Sequence, residues 1–381
     1  MSSSAAASSA LFQPLKLGPL QLQHRVALAP LTRFRNTAYV PGSAEQVTYY
    51  AQRASPGGLL ISEGVVVSPE SSKNDRVPGL WSEAHVAGWR KVTDAVHANG
   101  GFIFAQLWHL GRAAGNGTWQ VDGRDYSAVS ASATTVPGGK TPARALTEED
   151  LDRVAEEYHT ATRNARLAGF DGVEVHGANG YLPNQFVEPI TNQRSDGYGG
   201  SVERRSAFPL KLLKRVVDAM DGEAGRVGYR ISPFSDFQLE EVYSKPLDLY
   251  VPFVESMLRA HPQLGYLHVV EPRVAGINDV PPETADAQSV EPLRKAVAEL
   301  GKGTIFIAAG GFKAEDGIAH ANRTGDVLAF GRYFISNPDL PARIRDGHEL
   351  HPYDRNTFYS QGAKGYTDYP TYAKEQRSAN L

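Results

Sequence analysis

The stretch TEEDLDRVAEEYHTATRNARLAGFDGVEVH, residues 147–176, contains one complete helix and the strand that follows it. Thr147 and Asp150 have the spacing of a capping box, in which side chain and backbone at a helix start bond each other. The apolar residues behind them recur with helical period, at Leu151, Val154, Tyr158 and Ala161. Gly172–His176 is a short β-rich run. The stretch therefore predicts a helix packed against a sheet strand.

The same alternation recurs along the whole chain. Eight β-rich apolar runs lie at Val26–Leu31, Gly58–Val67, Phe102–Leu107, Gly172–His176, Val227–Ile231, Tyr266–Val270, Thr304–Ala308 and Val327–Phe330. Further helical patterns lie at Glu83–Ala98, Val202–Met220, Leu247–Ala260, Val290–Leu300, Ala314–Asn322 and Pro338–Asp346. Strands that alternate with helices indicate a parallel sheet, and eight of them are the number that closes a (β/α)8 barrel.

An open, doubly wound sheet is the alternative architecture. It would normally carry a glycine-rich phosphate fingerprint after its first strand, whereas Leu31 is followed by Thr32-Arg33-Phe34. We therefore predict the α/β class and a single (β/α)8 TIM barrel over residues 12–381. Residues 1–11 are predicted to be a flexible tail. Residues 108–145, rich in Gly, Ser, Thr and Pro, are interpreted as a hairpin insertion or lid after the third strand, and 353–381 as a C-terminal extension.

Composition excludes several classes of protein. The 381 residues are 41% hydrophobic and 21% charged, as in a globular protein with a large core. A net charge of −3 and the lack of a long Lys or Arg run argue against nucleic-acid and membrane partners. Without cysteine there is neither a disulfide nor a thiolate nucleophile. No apolar stretch approaches the roughly 20 residues of a membrane span, and no targeting signal is evident, so we expect a cytoplasmic protein.

Polar residues and glycines follow the predicted strands. Because barrel active sites lie at the carboxyl ends of the strands, these residues are expected to form a ring around one opening. They are Thr32, Glu63-Gly64, Gln106–Trp108, His176, Arg230, Glu271, Gly310-Gly311 and Gly331-Arg332. Capping of single strands could explain any one of them, but explains the whole set poorly.

The last two strands predict an anion site. Gly310, Gly311 and Gly331 come just after strands seven and eight, where barrel enzymes commonly bind phosphate through backbone N–H groups. Arg332 would add a charge-assisted contact. Tight turns alone could also require these glycines. We favour a phosphate, carried by a cofactor or a substrate.

His176, Asn179 and Tyr181 predict a second site after strand four. If the chain turns helically there, His176 and Asn179 share one side and Tyr181 flanks them. Two neutral donors suit an oxygen that gains negative charge, and a tyrosine can protonate a carbanion-like carbon. A structural histidine or a metal ligand is the alternative. No His-Glu-x-x-His cluster supports a metal, and neither a P-loop nor a Gly-x-Ser-x-Gly elbow is present.

Together these residues resemble the Old Yellow Enzyme family of FMN-dependent, NADPH-fed ene-reductases, most closely its fungal members. The similarity extends from Phe12 to Tyr372. Its motifs here are APLTR (29–33), ISEG (61–64), AQLW (105–108), GVEVHGANGYL (172–182), RSDGYGGS (194–201), FGR (330–332), SNPDL (336–340), TFY (357–359) and GYTDYP (365–370).

The resemblance implies a cofactor site for FMN. Backbone contacts to the isoalloxazine are implied for Pro30, Leu31 and Gly64, a bond to flavin O4 for Thr32, and a bond to the pyrimidine edge for Gln106. It also implies Arg230 beside N1 and O2, and Phe358 at the border of the flavin. The resemblance implies that Gly310, Gly311, Gly331 and Arg332 bind the FMN phosphate, in agreement with the anion site predicted from the last two strands.

The resemblance further implies the reaction. NADPH, with NADH as the alternative reductant, reduces FMN, and a hydride then passes from flavin N5 to the β-carbon of an α,β-unsaturated carbonyl. His176 and Asn179 would hold the carbonyl oxygen while Tyr181 protonates the α-carbon. Trp108, Phe237 and Tyr359 would form walls of the substrate pocket. The implied partners are small enones or enals, no metal is implied, and the chain would be a monomer or homodimer.

Several positions depart from the family pattern. Asn74 and Asp75 stand where relatives often carry an aromatic residue, and Gly276-Ile277-Asn278 replaces a bulkier rim. We predict a wider and more polar entrance. Two other functions are less favoured. A phosphate-binding aldolase or isomerase would need a Schiff-base Lys or a metal cluster at the strand ends, and none is evident. Intact Thr32, His176, Asn179, Tyr181 and Arg230 argue against a flavin-binding scaffold without turnover.

Overall fold

A computed structural model of the chain describes residues 6–276, 278–285 and 287–379. Eight parallel strands form a closed barrel in which neighbours in sequence are neighbours in space. They are β1 (Val26–Leu28), β2 (Leu59–Val66), β3 (Phe102–Trp108), β4 (Gly172–His176), β5 (Val227–Ile231), β6 (Tyr266–Val270), β7 (Ile305–Ala309) and β8 (Val327–Phe330). The predicted (β/α)8 barrel is confirmed, and each apolar run overlaps one of its strands, although β3 and β7 extend one residue beyond their runs, to Trp108 and Ala309.

Helices surround the barrel. One follows each strand: α1 (Ala44–Arg53), α2 (Glu83–His97), α3 (Glu148–Leu167), α4 (Val202–Ala219), α5 (Pro246–Ala260), α6 (Glu291–Leu300), α7 (Ala314–Thr324) and α8 (Leu340–Asp346). Other helices, most of them short, lie at Ala10–Phe12, Pro69–Ser71, Gly111–Ala113, Leu182–Val187, Ala224–Arg226, Pro282–Ala285, Arg332–Ser336, Arg355–Thr357 and Tyr372–Ala379. None of the helices in the described part of the chain is long and apolar enough to cross a bilayer.

The start of α3 illustrates how the sequence sets a helix boundary. The Thr147 hydroxyl accepts a hydrogen bond from the Asp150 backbone N–H at 3.1 Å, and the Asp150 carboxylate accepts one from the Thr147 N–H at 3.0 Å. This is the predicted capping box. Behind it Leu151, Val154 and Tyr158 are buried against the barrel, so the apolar face of the helix points into the core as its period indicated.

Helix α1 was missed by the sequence analysis. Its start carries the same kind of signal, because the Ser43 hydroxyl accepts from the Gln46 N–H at 3.2 Å and Gln46 Oε1 accepts from the Gly42 N–H at 2.6 Å. The spacing Ser43-x-x-Gln46 is a capping-box pattern and could have revealed the helix.

Strand β2 contains a bulge. Ser62 and Glu63 together lie opposite one residue of β3, because Ile61 pairs with Phe104 and Gly64 pairs with Gln106. A bulge redirects side chains locally. The Glu63 carboxylate accordingly points outward to α1, where it accepts from Gln46 Nε2 at 3.0 Å.

The described part of the N-terminal segment is packed against the barrel. Ala6 and Leu11 are buried, the Leu11 carbonyl accepts from the Arg25 N–H at 2.7 Å, and the Ala10 N–H donates to Asn322 Oδ1 at 2.8 Å. The prediction of a flexible tail over residues 1–11 is therefore corrected for residues 6–11, because burial of Leu11 anchors them. Residues 1–5 lie outside the described residues.

Four two-stranded sheets lie outside the barrel in the described part of the chain. They are the antiparallel pairs Leu15–Leu17 with Leu20–Leu22, Thr118–Val121 with Arg124–Ser127, and Val274–Ala275 with Asn278–Asp279, and the parallel pair Val129–Ser130 with Arg144–Ala145. Two of them belong to residues 108–145. The Arg112 guanidinium ties this segment to the loop after β5, since Nη2 donates to the Gln238 carbonyl at 2.7 Å.

Candidate active site

A cavity of about 630 Å³ opens at the carboxyl ends of the barrel strands. Its lining includes every predicted site residue except Gly64: Pro30, Leu31, Thr32, Gln106, Trp108, His176, Asn179, Tyr181, Arg230, Phe237, Gly310, Gly311, Gly331, Arg332, Phe358 and Tyr359. Gly64 lies directly behind Trp108, where a Cβ would come within 2.5 Å of the indole ring. Residues that are far apart in sequence thus meet at one concave site of the size that small-molecule ligands occupy.

Two carboxylates of the predicted polar ring, like Gly64, do not line the cavity. Glu63 faces α1, as described above. Glu271 instead faces a buried ionic cluster, with Oε2 3.6 Å from Arg273 Nε and Oε1 3.9 Å from His320 Nδ1. The ring prediction is wrong for these two carboxylates, because the bulge and the loop after β6 turn them outward.

One end of the cavity is formed by the glycine turns after β7 and β8. Gly311 has a φ of +67°, and a Cβ there would lie 2.8 Å from Arg332 Nη2, so only glycine leaves this space open. Arg332 Nη1 donates to Asp279 Oδ2 at 2.9 Å. Arg355 Nη2 lies 3.8 Å from the same oxygen. Two cations and a glycine cradle therefore give this end the chemistry of an anion site.

The opposite, deeper end contains Gln106, Arg230 and a buried carboxylate. Glu174 Oε1 accepts from Gln106 Nε2 at 2.7 Å, and Oε2 lies 2.8 Å from His268 Nδ1. Arg230 Nε is buried without a hydrogen-bond partner among the described residues. Because Arg230 lines the cavity, this donor is available to a ligand bound there. Sequence reasoning left Glu174 without a partner, since His268 is 94 residues away along the chain.

The charges at this end are fixed by burial and by each other. Burial alone would raise the pKa of Glu174, but His268, Arg230 and Gln106 outweigh it and hold this pKa below its usual range. Burial lowers the pKa of His268, against the opposing effect of Glu174. The pair is therefore an ionised carboxylate that accepts a hydrogen bond from a neutral imidazole.

His176 lies at the end of β4 and presents a neutral donor. Burial, together with Arg230 and His268, lowers its pKa well below the usual value. The Ala178 N–H donates to His176 Nδ1 at 3.4 Å. Because Nδ1 acts as the acceptor, the proton of the neutral ring is assigned to Nε2, which is then the donor.

Asn179 does not reach the site in the predicted way. The chain does not turn helically after β4; Asn179 has a left-handed φ of +59°, and the short helix begins only at Leu182. The Asn179 N–H donates to Ser232 Oγ at 2.8 Å, and its carbonyl accepts from Gln238 Nε2 at 3.1 Å. The helical premise was wrong, yet Asn179 and His176 both line the cavity.

Tyr181 caps the short helix Leu182–Val187 and lies next to His176. The centroids of the two rings are 4.9 Å apart, and the Trp108 ring meets Tyr181 edge-on at 5.0 Å. Burial raises the pKa of Tyr181 to about 12, against a side-chain hydrogen bond from Gln238 that lowers it. Tyr181 therefore stays protonated at neutral pH and can donate a proton.

The C-terminal extension closes one side of the cavity. Phe358 and Tyr359 line it, and Tyr359 packs against Phe34 with ring centroids 5.4 Å apart. Several arginines hold the extension by its carbonyl groups; among them, Arg33 Nη2 donates to Gly365 at 2.7 Å and Arg35 Nη2 donates to Thr357 at 3.1 Å.

Of the rim positions that depart from the family pattern, only some can be compared with the cavity. Gly276 lines the cavity, and a Cβ there would lie 2.1 Å from the Phe237 ring. Asn74 and Asp75 are not among the lining residues. Ile277 lies outside the described residues, so the prediction of a wider entrance stays a prediction.

Sequence reasoning missed several residues that line the cavity. They include Phe34, Val274, Phe312, Tyr333 and Arg355. Arg355 had a recognisable signal, because it lies three residues before Phe358 in the extension expected to border the site. The others are apolar or aromatic residues whose contact with a cavity depends on the folded chain.

Residues 10–351 match the model of the NADH:flavin oxidoreductase / NADH oxidase family. The flavin oxidoreductase hxnT of Emericella nidulans is 42% identical and aligns with 94% of this chain and 97% of its own length. The 12-oxophytodienoate reductase 2 of Arabidopsis thaliana is 40% identical over 95% of each chain. This chain belongs to that family, the Old Yellow Enzymes.

A solved structure supports the assignment. Morphinone reductase in complex with tetrahydroNAD is 39% identical, covers 95% of this chain with 97% of its own, and superposes with a TM-score of 0.82. This Old Yellow Enzyme is accordingly an oxidoreductase of an FMN-dependent family, and its barrel is the family's barrel.

The residues of this Old Yellow Enzyme fit FMN. The glycine cradle with Arg332 matches a phosphate, and the unpartnered Nε of Arg230 lies where a polar ring edge could complete it. The cavity is within the range of about 300–1,000 Å³ typical of cofactor sites. No group of three His, Asp or Glu side chains in the described part of the chain could hold a metal ion.

Proposed function

We propose that this Old Yellow Enzyme is an ene-reductase that uses NADPH to reduce α,β-unsaturated carbonyl compounds. FMN would lie along the cavity with its phosphate at Gly310, Gly311, Gly331 and Arg332. Its isoalloxazine would lie over Pro30, Leu31 and Gly64, beside Thr32, Gln106 and Arg230, with Phe358 at its border. All of these residues except Gly64 line one cavity, with the glycine turns at one end and Gln106 and Arg230 at the other, and this placement supports the orientation.

The chain's own residues would bind and orient the alkene. His176 Nε2–H and the Asn179 amide would hold its carbonyl oxygen, and Trp108, Phe237 and Tyr359 would form the walls. Neutral donors fixed before the reaction stabilise an oxygen as it becomes negative, without reorganising water. When bound, FMN supplies the hydride that it has received from NADPH.

Tyr181 would complete the reaction by protonating the α-carbon. Its phenol keeps its proton at neutral pH because burial raises its pKa to about 12. Such a weak acid transfers its proton only to a strongly basic site, and the α-carbon of the enolate formed by hydride addition at the β-carbon is such a site. The nearby rings of Trp108 and His176 limit the positions that the phenol can take.

The convergence of His176, Asn179 and Tyr181 on the cavity that also holds the glycine cradle carries this proposal. Its test is an anaerobic visible spectrum of the purified protein, with NADPH added first and cyclohex-2-enone second. A flavin band that bleaches with NADPH and returns with the enone is expected. A colourless protein that cannot be reconstituted with FMN would overturn the proposal.

The relatives guide the finer assignments. A 12-oxophytodienoate reductase among them is named for reduction of an oxo compound, and morphinone reductase was solved with a nicotinamide analogue. We propose small enones and enals as substrates, with residues 108–145 as a rim of the entrance held by Arg112. A cytoplasmic location and a monomeric or homodimeric state stay predictions from the sequence.

A further inference from the structure

Glu174 is a fully buried carboxylate beneath the deep end of the cavity. Its side chain and that of His268 are both 0% exposed, and the two face each other across the barrel interior from β4 and β6. None of the steps proposed above uses either residue. A buried charge of this kind is costly to desolvate, so its retention calls for a specific role.

Glu174 determines which atom Gln106 offers to a ligand. A carboxylate only accepts hydrogen bonds, so the group that meets Glu174 Oε1 at 2.7 Å must be the Gln106 amide nitrogen. The amide cannot flip without placing its oxygen against a negative charge. Gln106 therefore presents its carbonyl oxygen as a fixed acceptor to the cavity that it lines.

Glu174 also provides the negative charge behind Arg230. His176 pairs with Arg230 across β4 and β5, and Glu174 lies two residues earlier on β4, on the same face of that strand. His268 pairs with Arg230 across β5 and β6. Glu174 and His268 therefore flank Arg230 from both neighbouring strands, and the carboxylate partly offsets the field of the guanidinium.

We propose that Glu174, held by His268, is a positioning residue that sets the hydrogen-bonding pattern and the charge at the pyrimidine edge of FMN. The inference rests on the proposed function. The edge of an isoalloxazine has an N–H between two carbonyl oxygens. An acceptor from Gln106 and a cation from Arg230 complement this pattern, and Glu174 acts on both without touching the ring.

Replacing Glu174 by glutamine tests both effects. The introduced amide can donate or accept, so it no longer forces one orientation of Gln106, and FMN is expected to bind about tenfold more weakly. The charge of Arg230 is no longer offset, which favours the anionic reduced flavin, so the midpoint potential should shift to a more positive value. Neither readout requires turnover.

Glu63→Gln is a matched control. Glu63 is also a buried carboxylate on a barrel strand, and it also accepts from a glutamine amide, Gln46 Nε2 at 3.0 Å, but it faces α1 instead of the cavity. Loss of a buried carboxylate should therefore affect stability in both variants. Only E174Q should change the flavin.

The experiment measures the FMN dissociation constant by fluorescence quenching and the midpoint potential by spectroelectrochemistry, for wild type, E174Q, E63Q and His268→Gln. His268→Gln keeps the charge of Glu174 but removes the imidazole that holds it, so it should weaken FMN binding less than E174Q and keep a potential close to wild type. It also keeps the inference testable if E174Q fails to fold.

Equal values in wild type and E174Q, or equal shifts in E174Q and E63Q, would overturn the inference. A wild-type protein that binds no FMN would instead remove the proposed function on which the inference rests.

Discussion

The guanidinium of Arg332 is paired with the carboxylate of Asp279 beside the glycine turn that forms the anion end of the cavity. Arg332 Nη1 and Asp279 Oδ2 are 2.9 Å apart, and the carboxylate is 62% exposed. The hydrogen bond from Arg332 lowers the pKa of Asp279, so this carboxylate is ionised at neutral pH. A phosphate bound at the glycine turn would compete with Asp279 for the Arg332 guanidinium.

Asp279→Asn is therefore expected to tighten FMN binding. Exposed ion pairs contribute about 0.2–1 kcal/mol, so the gain should be a factor of up to roughly five in the dissociation constant. Titration of the apoprotein with FMN, followed by fluorescence quenching, measures it. Asp218→Asn, which removes an exposed carboxylate paired with Lys214 on α4, is the control. Weaker FMN binding in Asp279→Asn would show that Asp279 supports the site.

Tyr181→Phe separates proton donation from the rest of the reaction. The ring and its contacts with Trp108 and His176 are kept, while the acid is lost. Reduction of the bound flavin by NADPH should be unchanged, and enone reduction should slow by about 10²–10⁴. Stopped-flow absorbance of each half-reaction measures this, with Tyr243→Phe, an exposed tyrosine, as the control. Unchanged enone reduction would exclude Tyr181 as the donor.

Gly64→Ala tests the space behind Trp108. A Cβ would lie 2.5 Å from Trp108 Cε3, closer than atoms can approach, so the indole must shift toward the cavity. Overpacking of this kind typically costs about 1–3 kcal/mol. We expect a lower free energy of unfolding in urea together with weaker FMN binding. In Gly197→Ala the added Cβ has nothing within 4 Å, so neither property should change. If Gly64→Ala changed neither the free energy of unfolding nor FMN binding, the indole of Trp108 would be able to move away from residue 64 without cost.

Removal of the Arg35 side chain should loosen the C-terminal extension. The guanidinium donates to the carbonyls of Thr357 and Gly362, both at 3.1 Å, and lies over the Tyr366 ring at 4.4 Å. In Arg35→Ala the segment loses these bonds, and limited proteolysis should cleave within residues 353–371 at least several-fold faster. Lys295→Ala on the exposed face of α6 serves as the control. Equal cleavage rates would indicate that the other contacts of the extension, such as those made by Arg33 and Arg53, suffice to hold it.

The sequence predicted the barrel because the information for it is local. Apolar runs and helical periodicity are visible within ten to twenty residues, as in α3 and β4. The strand-end part of the cavity lining followed because residues at strand ends must meet in a barrel, whereas Phe237, Phe358 and Tyr359 were implied only by the family resemblance. Contacts that depend on three-dimensional placement did not follow. Glu174 could not be assigned to His268, and the left-handed Asn179 replaced the predicted helical turn, since neither leaves a periodic signal in the chain.

The free energy of unfolding should depend on pH through two buried groups, His109 and Glu63, whose pKa values are shifted in opposite directions. Burial lowers the pKa of His109 to about 3, from 6.5 when unfolded, so between these values the unfolded state binds one more proton. Stability from this residue is therefore lost as pH falls below about 6.5, by about 1.4 kcal/mol per pH unit. Burial raises the pKa of Glu63 to about 7, so its folded state holds an extra proton above about pH 4.5, and its contribution is lost as pH rises toward 7.

Substituting His109 and Glu63 separately isolates the contribution of each to the pH dependence of stability. Urea unfolding between pH 5 and 6.5 should show that His109→Asn decreases the rise of stability with pH by up to about 1.4 kcal/mol per unit, and that Glu63→Gln increases it. The slope with pH is the readout, because either substitution also changes the absolute stability. If His109→Asn keeps the wild-type slope, His109 is protonated in the folded protein; the burial seen in the structure would then be offset by a partner or a water that reaches its Nε2.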